Sequence, residues 1–406
     1  MIHVFPLASK MHDRSFYTEL LSSYLKVLSD ANVQVSNVIT SVEDIENLKV
    51  KDVKVAIPIF LTGGTSGLAR ALASKLGKSV PLLMVAHGYH NSLASALSAK
   101  NRLLIEGYKT SIIFSEKVDD VKLGILAARA VSDVKSMRVL LVSEEDGEAA
   151  DFERAIGAKA FKVSLSEVEE AIDKVETAKA REVLSKLAAK LDVSYCNTSL
   201  IEKPLKLPLA LKELLRKYDC NSLAINCFPL IVKFGFSPCI AISLLNDEGI
   251  PAACEADLRS LVLLRISLTV SKKPGWIANP CSLTEDGLIF AHCAIATNLI
   301  KGGKLSSHFE SNNPVAIAGE VEEGEYLLAS LSYDYKELFM DRVYVERSGM
   351  ISDKMCRTQV VLKPSTHLRD FVRKAISNHH VLMPLELLNV LPYIADLLTS
   401  TSLHKF

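Results

Sequence analysis

The segment VKVAIPIFLTGGTSGLARALASKL (53–76) decides the fold class. Val53–Leu61 is a run of apolar and β-branched residues, the composition of a strand buried on both faces. Thr62-Gly63-Gly64-Thr65-Ser66 turns the chain, and Ser66–Leu76 has helical spacing. Strand, tight turn and helix in this order make the first half of a βαβ unit. The same rhythm extends outward in both directions. Ile2–Pro6 reads as a strand and Asp13–Asp30 as a helix. Pro81–Val85 and Lys109–Phe114 read as strands, Ser92–Glu106 and Val118–Val134 as helices. Residues 1–135 therefore read as one doubly wound α/β domain with a parallel sheet.

A second α/β domain is expected over 136–250. Arg138–Val142 and Phe161–Ser164 read as strands, and Val168–Lys190 as one long Glu/Lys-rich helix. Pro204 and Pro208 mark a boundary before a helix at Leu209–Lys217. Beyond residue 250 the character changes. A helix at Ala256–Thr269 is followed by short strands at Leu288–His292, Val315–Val321, Glu325–Ser332, Lys336–Val345 and Thr358–Leu362, then helices at Leu368–Ser377 and Pro384–Leu398. Residues 251–406 thus read as a β-rich, barrel-like domain.

The 406 residues carry 47 Lys plus Arg against 47 Asp plus Glu, a formal net charge of +0. Such a chain has no global field to gather phosphates, which argues against nucleic acid as a partner. No apolar run reaches the roughly 18 residues of a membrane span. The opening MIHVFPLASKMHD has no basic segment leading into a long apolar one. Eight scattered cysteines (196, 220, 227, 239, 254, 281, 293, 356) form no CxxC pair and read as reduced, largely buried thiols. A cytoplasmic protein is expected.

Several residues can carry chemistry. The TGGTSG loop (62–67) lacks the Lys of a phosphate-binding P-loop and is as readily a tight turn as an anion site. His87 and His90, with Asn91, end the strand that follows and are candidate polar contacts. Asn91 or Ser92 is equally suited to cap the next helix. Cys254-Glu255-Ala256-Asp257 sets two carboxylates beside a helix start, where acidic residues are ordinary dipole complements. His292 ends the strand LIFAHC, and His379 and His380 stand together in SNHH. Carboxylates plus imidazoles suit a divalent ion such as Mn²⁺, or Zn²⁺ with less oxygen bias.

Taken together, the segments IPIFLTGGTS (57–66), HGYHNSLASAL (87–97), SPCIAISLLNDEGIPAACEADL (237–258), PGWIANP (274–280), LIFAHC (288–293), SSHFES (306–311) and SNHHVLMPLELLNVLPYIADLL (377–398) resemble the L-fucose/L-arabinose isomerase superfamily. The resemblance is nearest to its short, archaeal-type fucose isomerase-like members and spans nearly the whole chain. It implies two Rossmann-like doubly wound domains followed by a β-rich C-terminal domain, a homo-oligomer (trimer or hexamer), and divalent-metal-dependent aldose–ketose isomerisation of a monosaccharide or modified sugar. Mn²⁺ is the expected ion. By the same resemblance Glu255 is metal ligand and proton-transfer base, and His292 is a metal ligand. His379 or His380 is a further ligand, and Asn378 touches the sugar. His308 and Trp276 are candidate substrate contacts, with a core position the commoner use of a tryptophan. His87, His90 and loop 62–67 are candidates to complete the site from a neighbouring subunit.

One departure stands out. The family's second catalytic carboxylate belongs where this chain has Asn279, and an amide is no base near neutral pH. Asp257 is a candidate replacement, although i and i+2 do not share a helix face. Glu285 and Asp286 lie in a polar turn beyond. The alternatives to isomerisation are therefore a sugar-binding or regulatory protein without turnover, and a lyase acting on the same enediol.

Overall fold

The computed structural model describes residues 1–29, 31–145, 147–194, 198–285, 287–365, 368–399 and 404–405; Cys196 and Asp286 lie outside them. The chain divides into two compact units, Met1–Lys135 with Asn389–Leu403, and Ser136–Leu388 with His404–Phe406.

The first unit is built on a parallel sheet of five strands: β1 (Ile2–Leu7), β2 (Gln34–Val35), β3 (Val55–Phe60), β4 (Leu82–Ala86) and β5 (Thr110–Phe114), ordered β2-β1-β3-β4-β5. β1, β3 and β4 are buried along their whole length, as their continuous apolar runs require. The helix Leu391–Leu398 belongs to this unit, although the sequence reading carries the C-terminal domain to residue 406. It is held against β5, where the Ser111 hydroxyl donates to Asp396 at 2.7 Å and Lys109 donates to the Leu398 carbonyl.

The second unit opens with a parallel sheet of four strands, β6 (Arg138–Val142), β7 (Lys159–Val163), β8 (Ser222–Ile225) and β9 (Ala252–Ala253), ordered β7-β6-β8-β9. The strands that follow include β10 (Trp276–Leu283), β11 (Leu288–His292), a hairpin of β12 (Ile300–Ser307) with β13 (Pro314–Val321), β14 (Gly324–Leu331), β15 (Leu338–Ser348), β16 (Thr358–Pro364) and β17 (His380–Pro384). The antiparallel order β14-β17-β10-β11-β16-β15 returns to β14, so six strands close into a barrel. Closure leaves these strands no free edge. The barrel core includes Trp276, Phe290 and Phe339, joined by Phe371 from the helix Leu368–Lys374. Phe371 meets Phe290 and Phe339 edge-on at 5.9 and 5.3 Å, contacts worth about 0.5–1.5 kcal/mol each beyond area burial.

Several local expectations change. The long helix over 168–190 is two, Leu165–Asp173 and Thr177–Ala188, because Glu176 is extended between them. Pro204 and Pro208 do not bound a helix; they lie inside Thr198–Lys217. Each interior proline costs about 3 kcal/mol. Leu205, Leu207, Leu211, Leu214 and Leu215 are all buried on that helix, and at about 1.5–3 kcal/mol apiece they outweigh it. β10 and β12 add to the expected strands; the first contains Pro280, and the second carries Gly302 and Gly303 and is mostly half-buried, so neither shows a clean strand pattern. The helix expected from Pro384 starts only at Leu391, and the residues just before Pro384 form β17 between β10 and β14.

Candidate metal centre

Glu255 sits on the turn between β9 and the helix Leu258–Ser271. Glu255 and Ala256 both adopt left-handed backbone, at φ 54° and 53°. Each such non-glycine residue costs on the order of 1–2 kcal/mol. The turn is pinned on both sides: Ala256 N–H donates to the Ile225 carbonyl at 2.9 Å, and Asp257 N–H to the Cys254 carbonyl at 3.0 Å. Strain held this firmly marks a residue being aimed, and Glu255 is aimed at two histidines.

His292 arrives at the end of β11, and His379 immediately before β17. The Glu255 carboxylate lies 3.7 Å from His292 Nε2 and 3.6 Å from His379 Nε2. These are ion-pair rather than hydrogen-bond separations. Ligand atoms of all three residues fall within 4.8 Å of one another. An ion bound at about 2.1 Å needs donors about 3.0–3.4 Å apart, so the two Glu255–imidazole separations are within a few tenths of an ångström of what it requires. The Glu255 side chain is 35% exposed and the imidazoles only 5% and 2%, which leaves one side open toward solvent.

Asp257 explains the orientation of His379. Its carboxylate accepts from His379 Nδ1 at 2.7 Å, the Ser260 hydroxyl at 2.6 Å, and the Arg259 and Ser260 N–H groups at 3.0 Å each. It is thus the N-cap of the helix and the carboxylate behind the histidine. That pairing fixes the tautomer of a metal-ligating imidazole and leaves Nε2 for the ion. His379 Nε2 is buried and has no hydrogen-bond partner, a donor atom set for something else. Its neighbour Arg259 stacks on the Tyr333 ring at 3.7 Å, faces Glu148 at 3.3 Å and donates to Ser377 at 2.9 Å. This anchors the segment that carries His379. Nothing in the sequence pattern of Arg259, Glu148 or Tyr333 pointed to that role.

The electrostatics follow. The two imidazoles, His292 first, hold the Glu255 carboxyl well below the usual range against the opposing effect of burial. Burial alone would lower the His379 pKa, but the hydrogen bond to Asp257 and the negative charges of Asp257 and Glu255 override it and raise it to about 9. Without metal, this pair contributes stability in full below the unfolded histidine value, 6.5, and loses it as pH rises through about 9. Metal binding reverses the dependence, because the ion must displace that proton. Divalent-metal affinity should therefore climb about tenfold per pH unit, roughly 100-fold from pH 6 to 8, with one proton released per ion. Isothermal titration in buffers of different ionisation enthalpy checks both; a flat profile would contradict it.

The other expected site residues divide. His380 is not a ligand: its ring lies inside the barrel among Phe290, Phe339 and Phe371. Burial lowers its pKa to about 4, and its Nε2 is unpartnered. Trp276 is a core residue 2% exposed whose Nε1 donates to the Ala294 carbonyl, so it offers no face to a sugar. Asp257 accepts four hydrogen bonds from three residues and is no free base. Asn279 on β10 pairs with Ala291, and one step beyond the Ala278–His380 pair its register sets it beside His379. His308 is buried, bonded to Ser311 at 3.1 Å, and near enough to His292 and Glu255 to feel their charge. Asn378 is exposed and accepts from the Tyr333 hydroxyl at 3.1 Å.

His87, His90 and Asn91 belong to the first unit. His87 is buried against the Leu61 carbonyl at 3.1 Å, and His90 is exposed and lies on Phe16 at 3.8 Å. Asn91 occupies the cap position without a side-chain cap bond, while the Ser92 hydroxyl donates to the Phe60 carbonyl. A Cβ on Gly63 would come within 2.7 Å of Asn91 Cβ, so the 62–67 loop needs glycine there for close approach. Its Gly63 and Thr65 N–H groups are already spent on His90 and Ser95, which favours a structural turn over an anion cradle.

His380→Leu should leave metal affinity unchanged and melting within about 1 kcal/mol of the parent, since it trades an orphaned buried nitrogen for lost ring contacts. His379→Leu should abolish binding. Metal titration and thermal melts of both variants check the assignment.

Among known proteins, no family model and no curated sequence matches this chain. Among the described residues, no helix is long and apolar enough to cross a membrane.

Proposed function

We propose that this chain is a divalent-metal-dependent aldose–ketose isomerase of the fucose/arabinose isomerase type, acting as a homo-oligomer on a monosaccharide or modified sugar. The two parallel sheets are read as its Rossmann-like halves. The observation that carries the reading is the convergence of Glu255, His292 and His379, with Asp257 behind His379. One carboxylate and two imidazoles with an open side suit Mn²⁺, Fe²⁺ or Zn²⁺. A divalent ion held there supplies Lewis-acid polarisation of a sugar carbonyl and its neighbouring hydroxyl. Glu255 and the two imidazoles hold it, Asp257 keeps His379 in the right tautomer, and the half-exposed Glu255 faces the side from which substrate enters.

Proton transfer between C1 and C2 is the weak step. Glu255 is strongly acidified, which makes it a poor base, and Asn279 is neutral. This favours a second reading, a sugar-binding homologue with little or no turnover.

The test is to measure bound metal, then incubate the Mn²⁺-loaded protein with a panel of aldoses in deuterated water. Deuterium at C2 with ketose formation supports the isomerase. Saturable binding without exchange supports the second reading. In that case Asn279→Asp should bring exchange at least about 100-fold above the parent's detection limit, the lower end of what one acid–base group contributes. Failure to bind metal at all would overturn both the metal centre and the isomerase.

A further inference from the structure

We propose that Cys227 and Cys254 are an oxidisable thiol pair whose disulfide weakens the neighbouring metal site. The inference rests on the metal-centre reading and adds its regulation. The two sulfurs are 3.4 Å apart, both residues are free thiols, and they are 3% and 5% exposed. They rise from the carboxyl ends of adjacent parallel strands: β8 and β9 pair Leu223 with Ala252 and Ala224 with Ala253. Cys227 then opens the helix Cys227–Phe234, and Cys254 opens the turn that carries Glu255.

A disulfide needs the sulfurs at about 2.05 Å, so they must close by about 1.4 Å. Any backbone movement of Cys254 is passed to its turn, because its carbonyl accepts from Asp257 N–H and the next two residues are held at positive φ. His292 ends barrel strand β11 and has no bond to that turn's backbone, whereas His379 is tied to the turn through Asp257. Metal distances tolerate only a few tenths of an ångström. Moving Glu255 away from His292 therefore weakens the site.

The oxidant is a hydroperoxide. The Cys227 thiol loses its proton and its sulfur attacks one peroxide oxygen, giving a sulfenic acid and one molecule of water. The Cys254 thiol attacks that sulfur, and its proton leaves with the hydroxyl as a second water. Two thiols lose two electrons, and hydrogen peroxide becomes two waters. Burial limits the reaction to small oxidants and keeps bulky alkylating reagents out.

Metal-free protein is treated with hydrogen peroxide, quenched, and mapped by peptide mass spectrometry. Mn²⁺ affinity is then measured for the reduced, oxidised and dithiothreitol-restored forms and for peroxide-treated Cys227→Ala. The expected result is a Cys227–Cys254 crosslink, Mn²⁺ affinity at least tenfold weaker, full recovery on reduction, and no peroxide effect in Cys227→Ala. Absence of the crosslink, or a crosslink with unchanged affinity, would overturn the proposal. Reduced protein that binds no Mn²⁺ overturns the metal-centre reading and the proposal with it, and the separately read crosslink tells the two failures apart.

Discussion

Glu255→Gln is expected to lower divalent-metal affinity by more than the roughly 10–100-fold that loss of an outer-shell partner costs, and to abolish sugar isomerisation. Glu255 is the one carboxylate of the triad, and it faces His292 and His379 from its own strained turn. Glutamine keeps the volume and the backbone but removes the anion that offsets the ion's charge. It leaves His379 still bonded to Asp257 at 2.7 Å, so the protein should remain folded. Titration with Mn²⁺, alongside a melt in chelator, separates loss of the site from loss of the fold. Near-parental affinity in a folded variant would remove Glu255 from the metal centre.

Asp257→Ala should produce the largest loss of stability. The side chain is buried and serves the helix Leu258–Ser271, Ser260 and His379 at once. Losing the cap costs about 1 kcal/mol. Removing one partner of a buried ion pair costs about 3–5 kcal/mol more. At roughly 2–4 °C per kcal/mol for a domain of this size, melting should fall by about 8–24 °C. Asp257→Asn keeps a good capping residue, so it should cost less, about 1–3 kcal/mol, while still lowering metal affinity about 10–100-fold. That contrast marks Asp257 as a positioning residue for His379. Equal metal affinity in Asp257→Asn and the parent would contradict it.

The corrections share a cause. His379 and His380 are adjacent and chemically identical in the sequence, and alternation of side chains turns one toward Glu255 and the other into the barrel. Which one goes where depends on the register of β17 against β10, which pairs His380 with Ala278 on the core side. Asp257 looked unable to share a face with Glu255, and it does not. It acts one step back, through a histidine 122 residues away in the chain. The prolines at 204 and 208 are strong local signals overridden by a buried leucine face.

The sequence by itself determined the α/β character of the first 250 residues, the β-rich remainder, and the set that contains Glu255, His292 and His379. Apolar runs, turn residues and side-chain chemistry are local properties, legible residue by residue. Tertiary structure alone decided that six strands close into a barrel, that His379 rather than His380 meets Glu255, and that Cys227 touches Cys254. Those outcomes depend on strand register and on contacts between segments far apart in the chain, and no local pattern encodes them.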